Sequence, residues 1–549
     1  MSLICAFCSL FSKLRFRLVP FVVLRVLCGQ WEKTTTRNAR RILLKIYFQS
    51  GQNLKKQYIL AIDQGTSGTK TLIFDEQGKV CARATEPLTT FYLDNGFVEQ
   101  DPEEIFQNVL SSVRKCFNAF TSAGGDANDV STCGISNQRE TFVIWNREGK
   151  PLYNAVVWQC KRSIEICERL KKQGLQRLIK EKTGLLIDPY FSGTKLIWLH
   201  QNVASIKQAI NNGHVYFGTI DTWLLYKLTN GTVYATDHTN ASRTLFFNLS
   251  TLSWDRELLN AFNVSKLNLP ECKPSSYSFG ETNFNGILND PISISAMIGD
   301  SHAAAFGEGC YQPGTAKATM GTGCSILMNI GPEVKYSDNG MITTICWSMP
   351  GKVQYALEGV IVSCGATIEW LKNELGLLTD SKQTEEMAIS VNDNDGVYLI
   401  PAFSGLGAPY WDMTRKAIIS GLTFSANKNH IVRAALESIP YQIKDVIIAM
   451  EKDTKIELQQ LMVDGGISSN NFILRLLSDL LNKAVVNIGI PDVSALGAAY
   501  LAGLQQKVFT DFDHLSQLNT EKKIVNPSGD EKAKAWYRGW KKAILINTE

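Results

Sequence analysis

Apolar and polar positions fall into blocks along this chain, and the blocks have two different periods. Residues 58–62 form an apolar run that ends on Asp63. A turn of small and hydroxyl residues follows, Gly65-Thr66-Ser67-Gly68-Thr69-Lys70, and a second apolar run over 71–74 stops at Asp75. Strand, small-residue turn and strand predict a β-hairpin. Residues 80–86 predict a third strand. Pro102-Glu103-Glu104 then opens a helix in which Ile105, Val109 and Val113 share one face. Proline in the first turn and acids at the positive helix end both favour that start. Residues 130–136 predict a strand feeding Asn137-Gln138-Arg139-Glu140, and residues 141–145 another. The second half answers with strands over 342–347 and 353–358 and a helix over 367–375 closed by Gly376. It continues with a helix over 431–450 kinked at Pro440. A strand over 461–463 then enters Asp464-Gly465-Gly466, and a helix covers 471–481. No short tandem repeat is present. The echo between halves predicts an α/β chain of two related domains with a ligand cleft between them.

Composition narrows the class. The 549 residues suffice for two large domains, and 44% apolar with 20% charged content is that of a globular enzyme. No apolar run reaches the roughly 18–20 residues a membrane helix needs. The formal charge of +4 hides an asymmetry. Residues 1–57 carry eleven Lys/Arg and one acid, Glu32, which leaves the remainder at −6. A mildly acidic body has no footprint for nucleic acid. The basic stretch has arginines mixed through its apolar segment, as in an organelle transit peptide; the other reading is an upstream extension foreign to the fold. Either way it is set apart from the fold, and the protein is expected in the cytoplasm, or in mitochondria if the stretch is a true transit peptide. Thirteen cysteines are scattered through apolar runs, and the CxxC pair Cys5/Cys8 lacks partners. Neither a disulfide framework nor a zinc site is expected.

Candidate chemistry gathers at the glycine-rich turns. Small residues let backbone amides approach an anion, so the turn at 65–70 suits a phosphate, and Asp63 is placed to hold Mg²⁺ through water. An ordinary hairpin turn is the plainer reading. Three further turns stand out: Thr319-Met-Gly321-Thr322-Gly323-Cys324, Val463-Asp464-Gly465-Gly466, and Cys364-Gly365-Ala366-Thr367, which opens the helix bearing Glu369. Amides at the helix start after Gly466 are expected to face a nucleotide. Asp300 lies between an apolar strand and a small-residue helix. It is either the helix cap or a carboxylate base for a hydroxyl that attacks phosphorus. His302 reads as a packed residue. Arg139-Glu140 is either a surface ion pair or a fork for neighbouring hydroxyls of a polyol.

Long segments give these turns a family context. GISNQRETFVIWN (134–146), NAVVWQCKR (154–162), TGLLIDPYFSGTKLIWL (183–199), FGTIDTWLLYKLT (217–229), TDHTNASRTLFFN (236–248), PAFSGLGAPYWD (401–412) and LMVDGGISSNNF (461–472) resemble the FGGY carbohydrate kinases. The resemblance covers about 58–543. It implies two actin-like, RNase H-like domains, 58–309 on the polyol and phosphate side and 310–549 on the nucleotide side. It also implies in-line phosphoryl transfer from ATP, with Mg²⁺, to a primary hydroxyl. The nearest members of the family phosphorylate glycerol to sn-glycerol 3-phosphate, and members are often dimers or tetramers. By matching motif, Thr66, Ser67 and Gly68 meet the ATP phosphates, Asp63 and Asp300 hold the metal, and Thr322 and Gly323 form the second phosphate turn. Gly365, Gly466 and Asn470 line the nucleotide, with Glu369 where the family commonly has glutamine. Asp300 is the implied base. Arg139, Glu140 and Tyr190 are the implied polyol contacts, with Trp158 as the apolar wall. Ser301 stands where glutamine is usual and Ser325 where phenylalanine is usual. Both changes widen the implied pocket, so a longer polyol or a ketose is the alternative substrate. Two further readings are an actin- or Hsp70-like ATPase and a nucleotide-binding relative without catalysis. Arg139-Glu140 and DPYF (188–191) count against the first, and the full set of turns with Asp300 counts against the second.

Overall fold

The computed structural model describes residues 57–518 and 522–546. Apart from residue 57, the basic extension expected over 1–57 lies outside the described residues. The hairpin forms as expected: β1 (Tyr58–Gln64) and β2 (Gly68–Phe74) run antiparallel with Asp63 opposite Lys70. β3 (Val80–Pro87) extends the meander. α1 (Pro102–Ser122) starts where the Asp101 carboxylate accepts the Glu103 N–H, with proline in the first turn. It returns the chain to β4 (Val130–Asn137), parallel to β1. β5 (Ser276–Thr282) and β6 (Ile292–Gly299) complete a six-stranded sheet in the order β5-β6-β4-β1-β2-β3.

β1 shows why its residues read as a nearly continuous apolar run. Leu60 and Ile62 face Ile105, Val109 and Val113 of α1, while Ile59 and Ala61 face a second cluster on the opposite side of the sheet. Alternate side chains point to opposite faces, so a strand covered on both faces is apolar at every position.

The second half repeats the plan. α2 (Asp300–Gly307) leads into β7 (Thr315–Met320), β8 (Cys324–Gly331), β9 (Ile342–Met349) and β10 (Lys352–Ile361). With β11 (Gln460–Asp464), β12 (Val485–Asn487) and β13 (Lys523–Val525) they form a sheet in the order β9-β10-β8-β7-β11-β12-β13. β7-β8-β10 is an antiparallel meander and β11 lies parallel to β7, as β4 does to β1.

Some boundaries moved. The helix expected over 367–375 is α3 (Gly365–Asn373), because the Glu374 and Leu375 amides both fold back onto the Trp370 carbonyl before Gly376. α4 (Lys428–Thr454) is longer than expected at both ends and continuous through the buried Pro440. α5 (Asn471–Leu481) matches its expected span.

Two helices interlock the halves. α6 (Val493–Gln505) follows the second sheet in the chain but lies on β1, β4 and β6 of the first. α2 lies between α6 and strands β7, β8 and β9. A Cβ on Gly497 would sit 1.8 Å from the Ala303 carbonyl, so only glycine allows α2 and α6 to cross this closely. Asp492, just before α6, is buried and paired with Lys70 of β2 (3.1 Å) and Arg83 of β3 (2.8 Å).

Between β4 and β5 lies an insertion. Its strands Phe142–Trp145, Ala155–Val156 and Tyr216–Thr219 join Phe91–Leu93 and Phe97–Gln100 in a five-stranded sheet. Among the described residues, no helix is long and apolar enough to cross a membrane, and nine cysteines, Cys81 aside, are free.

Candidate active site

The parallel strands of both sheets deliver their carboxyl ends to one cleft. Asp63 lies beside Ser136 and Gly299 beside Asn137 in the first sheet, and Thr319 lies beside Asp464 in the second. Strand ends of this kind are where open α/β sheets bind ligands. A cavity of about 280 Å³ opens there, lined by Thr66, Arg139, Glu140, Trp158, Tyr190, Asp300, Ser301 and Ser325. Those are eight of the residues singled out in the sequence. Ala304, Lys317, Thr319, Asp464 and Ser494 line it as well.

The two hairpin turns close in the same way. In the first, the Gly65 amide donates to the Gly68 carbonyl (2.9 Å), looping out Thr66 and Ser67. In the second, the Gly321 amide donates to the Gly323 carbonyl (2.9 Å), looping out Thr322. Ser67 and Thr322 are exposed, so their hydroxyls and neighbouring amides are open to an anion. The second turn is stitched to α3. The Gly321 carbonyl accepts the Gly365 amide, and the Thr322 carbonyl accepts those of Cys364 and Ala366. A Cβ on Gly365 would lie 2.7 Å from the Gly321 carbonyl oxygen, which explains glycine at that position.

The expectation for the turn after β11 needs correction. Gly466 does not enter α5 directly, because a 3₁₀ turn (Gly466–Ser469) intervenes. The side chain of Asn470 then caps α5 by accepting the Ile473 N–H at 3.1 Å, and Glu385 accepts the Asn471 N–H at 3.0 Å. These two α5 amides are satisfied within the protein. Gly466 faces open space. Glu369 is exposed on α3, its nearest side-chain partner being Asn373 at 3.4 Å.

The side of the cavity at Arg139 and Glu140 is made of buried charge. Arg139 and Glu140 are neither a surface pair nor chiefly each other's partners, because both are buried and each is held from elsewhere. Arg139 Nη2 donates to Glu358 Oε1 (2.8 Å), and its Nε lies 3.3 Å from Asp300 Oδ1. Arg243 joins Glu140 (2.5 Å) to the other Glu358 oxygen (2.7 Å). Glu358 comes from β10, so the array Asp300–Arg139–Glu358–Arg243–Glu140 spans both halves. Burial would raise Glu358, yet the charges of Arg139 and Arg243 hold it well below the usual carboxylate range. Burial lifts Glu140 above its ordinary value despite both arginines. Arg139 Nη1 and Arg243 Nη2 are buried without a protein partner, which leaves donor capacity in the array.

The apolar wall is positioned by a buried lysine. Trp158 and Tyr190 meet edge to face at 5.5 Å between ring centroids. Trp158 Nε1 also donates to Thr66 Oγ1 at 2.9 Å, tying the apolar wall to the first hairpin turn. Lys195 Nζ donates to the carbonyls of Trp158 (3.3 Å), Pro189 (2.9 Å) and Tyr190 (2.7 Å). Burial draws its amine down to about 8.

Asp300 is not the cap of α2. Gly299 occupies that position, and Asp300 is the first helical residue, its carboxylate accepting the Ser301 N–H at 2.6 Å and turned to the cavity. Asp63 accepts the Ser136 hydroxyl at 2.9 Å, and burial followed by the like charge of Asp300 raises it to about 6. Two carboxylates in mutual repulsion beside a glycine-rich turn suit a divalent cation. No cluster of three or more His, Cys, Asp or Glu fit to hold a metal occurs among the described residues. Two carboxylates plus phosphate oxygens are the donor set Mg²⁺ takes in phosphoryl-transfer sites. His302 is packed, as expected: it is fully buried, 3.4 Å from Thr344, and driven well below its ordinary pKa by burial and by Arg139.

Arg243, Glu358, Lys195 and Lys317 were missed in the sequence. A signal existed, since each is a charged residue inside an apolar stretch, and such residues are buried only when paired. Their partners, 100 or more residues away for Arg243 and Glu358, were not readable.

A glycine-rich hairpin turn with an exposed hydroxyl on each of two similar α/β halves, with a carboxylate and a polar cavity between them, fits a two-domain phosphotransferase. Residues 58–307 match the FGGY family of carbohydrate kinases, N-terminal domain, and residues 316–505 match its C-terminal domain. This chain belongs to the FGGY family of carbohydrate kinases. It is 46% identical over 490 residues to the glycerol kinase of Thermoanaerobacter sp. (strain X514), covering 89% of this chain and 98% of that protein. With the glycerol kinase of Halothermothrix orenii it shares 45% over 493 residues, again 89% and 98% of the two chains. The crystal structure of Plasmodium falciparum glycerol kinase with ADP superposes with a TM-score of 0.84 at 35% identity, covering 90% of this chain and 99% of that one. A xylulose kinase structure from Lactobacillus acidophilus shares the fold (TM-score 0.79, 22% identity, 88% and 96% covered).

Proposed function

We propose that this protein is a glycerol kinase, transferring the γ-phosphoryl group of ATP to a primary hydroxyl of glycerol to give sn-glycerol 3-phosphate. The observation that carries the reading is the buried array around Arg139 and Glu140, set in one cavity with Asp300 between two anion-binding turns. Arg139 offers donors and Glu140 acceptors to neighbouring hydroxyls, a match to a vicinal polyol. Trp158 and Tyr190 cover the carbon side. Asp300 accepts the proton of the attacking hydroxyl, and Arg139 beside it steadies the carboxylate. Thr66, Ser67 and Gly68 on one side, with Thr322 and Gly323 on the other, present amides and hydroxyls to the phosphates, while Gly365, Glu369, Gly466 and Asn470 border the nucleotide.

Bound Mg²⁺ neutralises charge on the β- and γ-phosphate oxygens; Asp63 and Asp300 would hold it, directly or through water. We assign the polyol and phosphate side to residues 58–309 and the nucleotide side to 310–549. A homodimer or homotetramer is the form to test by light scattering, and fractionation distinguishes the cytoplasm from mitochondria, the destination if residues 1–57 are a transit peptide.

The deciding experiment is ADP release measured against a panel of polyols and sugars, with the product identified by mass. Glycerol-dependent ADP release yielding glycerol 3-phosphate supports the reading. ATP hydrolysis independent of any polyol would overturn it in favour of an actin- or Hsp70-like ATPase.

A further inference from the structure

One wall of the cavity has hydrogen-bonding capacity beyond the Arg139–Glu140 array. Ser325 Oγ lies 3.3 Å from Glu358 Oε1 and donates to it. Ser301 Oγ lies 3.3 Å from Ser325 Oγ. Glu358 is ionised, fully buried and an acceptor only, so it fixes the direction of this short chain. Its oxygen takes the single proton of Ser325, and Ser325 then accepts the single proton of Ser301. What remains toward the cavity is acceptor capacity on Ser301, backed by a charge. Trp158 and Tyr190 supply an apolar wall in the same cavity, and Asp300, next to Ser301, carries the base. An acceptor wall anchored to a carboxylate is matched by a ligand hydroxyl, not by a methyl or a hydrogen.

Resting on the glycerol kinase reading, we propose that the same site phosphorylates four-carbon polyols, with Ser301 and Ser325 reading the hydroxyl beyond the third carbon. In that reaction the terminal hydroxyl oxygen of the tetritol forms a bond to the γ-phosphorus of ATP. The bond from that phosphorus to the β,γ-bridging oxygen breaks with its electrons staying on ADP. The hydroxyl proton passes to Asp300. The products are a tetritol monophosphate and ADP.

The test compares kcat/KM for glycerol, erythritol and threitol in the wild type and in the Ser325→Ala, Ser301→Ala and Ser301→Gln/Ser325→Phe variants. Thermal melts show which variants are folded; Ser325→Ala, which removes one oxygen, keeps the test open if the double variant does not fold. The expected result is at least one tetritol used at no less than about one-tenth of the glycerol efficiency. The tetritol-to-glycerol ratio should then fall about tenfold in Ser325→Ala, the worth of one hydrogen bond. Glycerol turnover with both tetritols below that level, or a ratio unmoved by Ser325→Ala, overturns the inference and leaves the glycerol reading standing. Tetritol turnover without glycerol turnover overturns the glycerol reading and supports this one. Failure of all three polyols overturns both.

Discussion

The two sides of this cleft that we propose meet phosphate and polyol are built from different materials. Each phosphate turn is a handful of consecutive residues whose backbone closes on itself, Gly65 to Gly68 and Gly321 to Gly323, with exposed hydroxyls at the tip. The polyol side is side-chain chemistry, with Arg139, Glu140, Arg243 and Glu358 brought from three places in the chain and removed from water. A backbone turn retains its shape when one tip side chain changes. A buried charge array does not, because removing one member leaves its partners unpaired in a medium that solvates them poorly. Substitutions on the phosphate side should therefore affect binding alone, and substitutions on the polyol side should affect binding and folding together.

The largest expected effect lies at the junction of the two. Asp300→Asn should lower kcat about 10³-fold, the size of a general-base contribution. Binding of nucleotide in the absence of Mg²⁺, followed by calorimetry, should stay close to that of the wild type, since the turns are untouched. Turnover at wild-type rates would remove Asp300 from the base role.

Arg243→Met breaks the array and should destabilise the protein by about 3–5 kcal/mol in denaturant titrations, leaving Glu140 and one oxygen of Glu358 without their partner. If that loss were under about 1 kcal/mol, the contrast between the two sides would fail.

Lys195→Met sharpens the comparison within the polyol side. Lys195 touches no ligand position yet holds the Trp158 and Tyr190 carbonyls, so the polyol KM should rise roughly tenfold while kcat changes less. Its pH dependence has a definite sign. The folded value is about 8 and the ordinary value 10.5. Between these the unfolded chain binds more protons, so the contribution of Lys195 to stability rises with pH across that window. Below about 8 the full cost of burying the charge is present. Loss of the proton above 8 nevertheless weakens its hold on the carbonyls. Polyol KM should therefore climb above pH 8 in the wild type without a matching loss of stability from this group, and should not climb in Lys195→Met.

The smallest effect is expected for Thr322→Ala. ATP affinity should fall about fivefold, the scale of one hydrogen bond. Stability should move by less than about 0.5 kcal/mol, because the side chain is exposed and has no protein partner to orphan.

These contrasts also mark what was readable before the structure. The hairpin around Thr66, the glycine-rich turn around Thr322 and the α/β echo between halves were legible, because each depends on neighbours in sequence: alternation within a strand, glycine in a turn, proline and acids at a helix start. Asp300 was legible as a carboxylate at a strand end, but its freedom from capping was not, since Gly299 takes the cap only once β6 has set the entry angle of α2. The start of the helix after Gly466 was misplaced for a similar reason. The capping role of Asn470 depends on a 3₁₀ turn that no composition rule distinguishes from a helix start.

The sequence by itself determined the α/β alternation, the echo between halves and the glycine-rich turns, all consequences of local pattern. Eight of the residues that line the cavity were named partly from those patterns and partly, as for Trp158, Tyr190, Ser301 and Ser325, from the family resemblance. Only the tertiary structure decided that Glu358 of β10 sits between Arg139 and Arg243, that Lys195 holds the apolar wall, and that Ser301 and Ser325 touch. Those contacts join residues as far as 219 positions apart. Burial, which makes them strong, is a property of the closed fold and not of any segment.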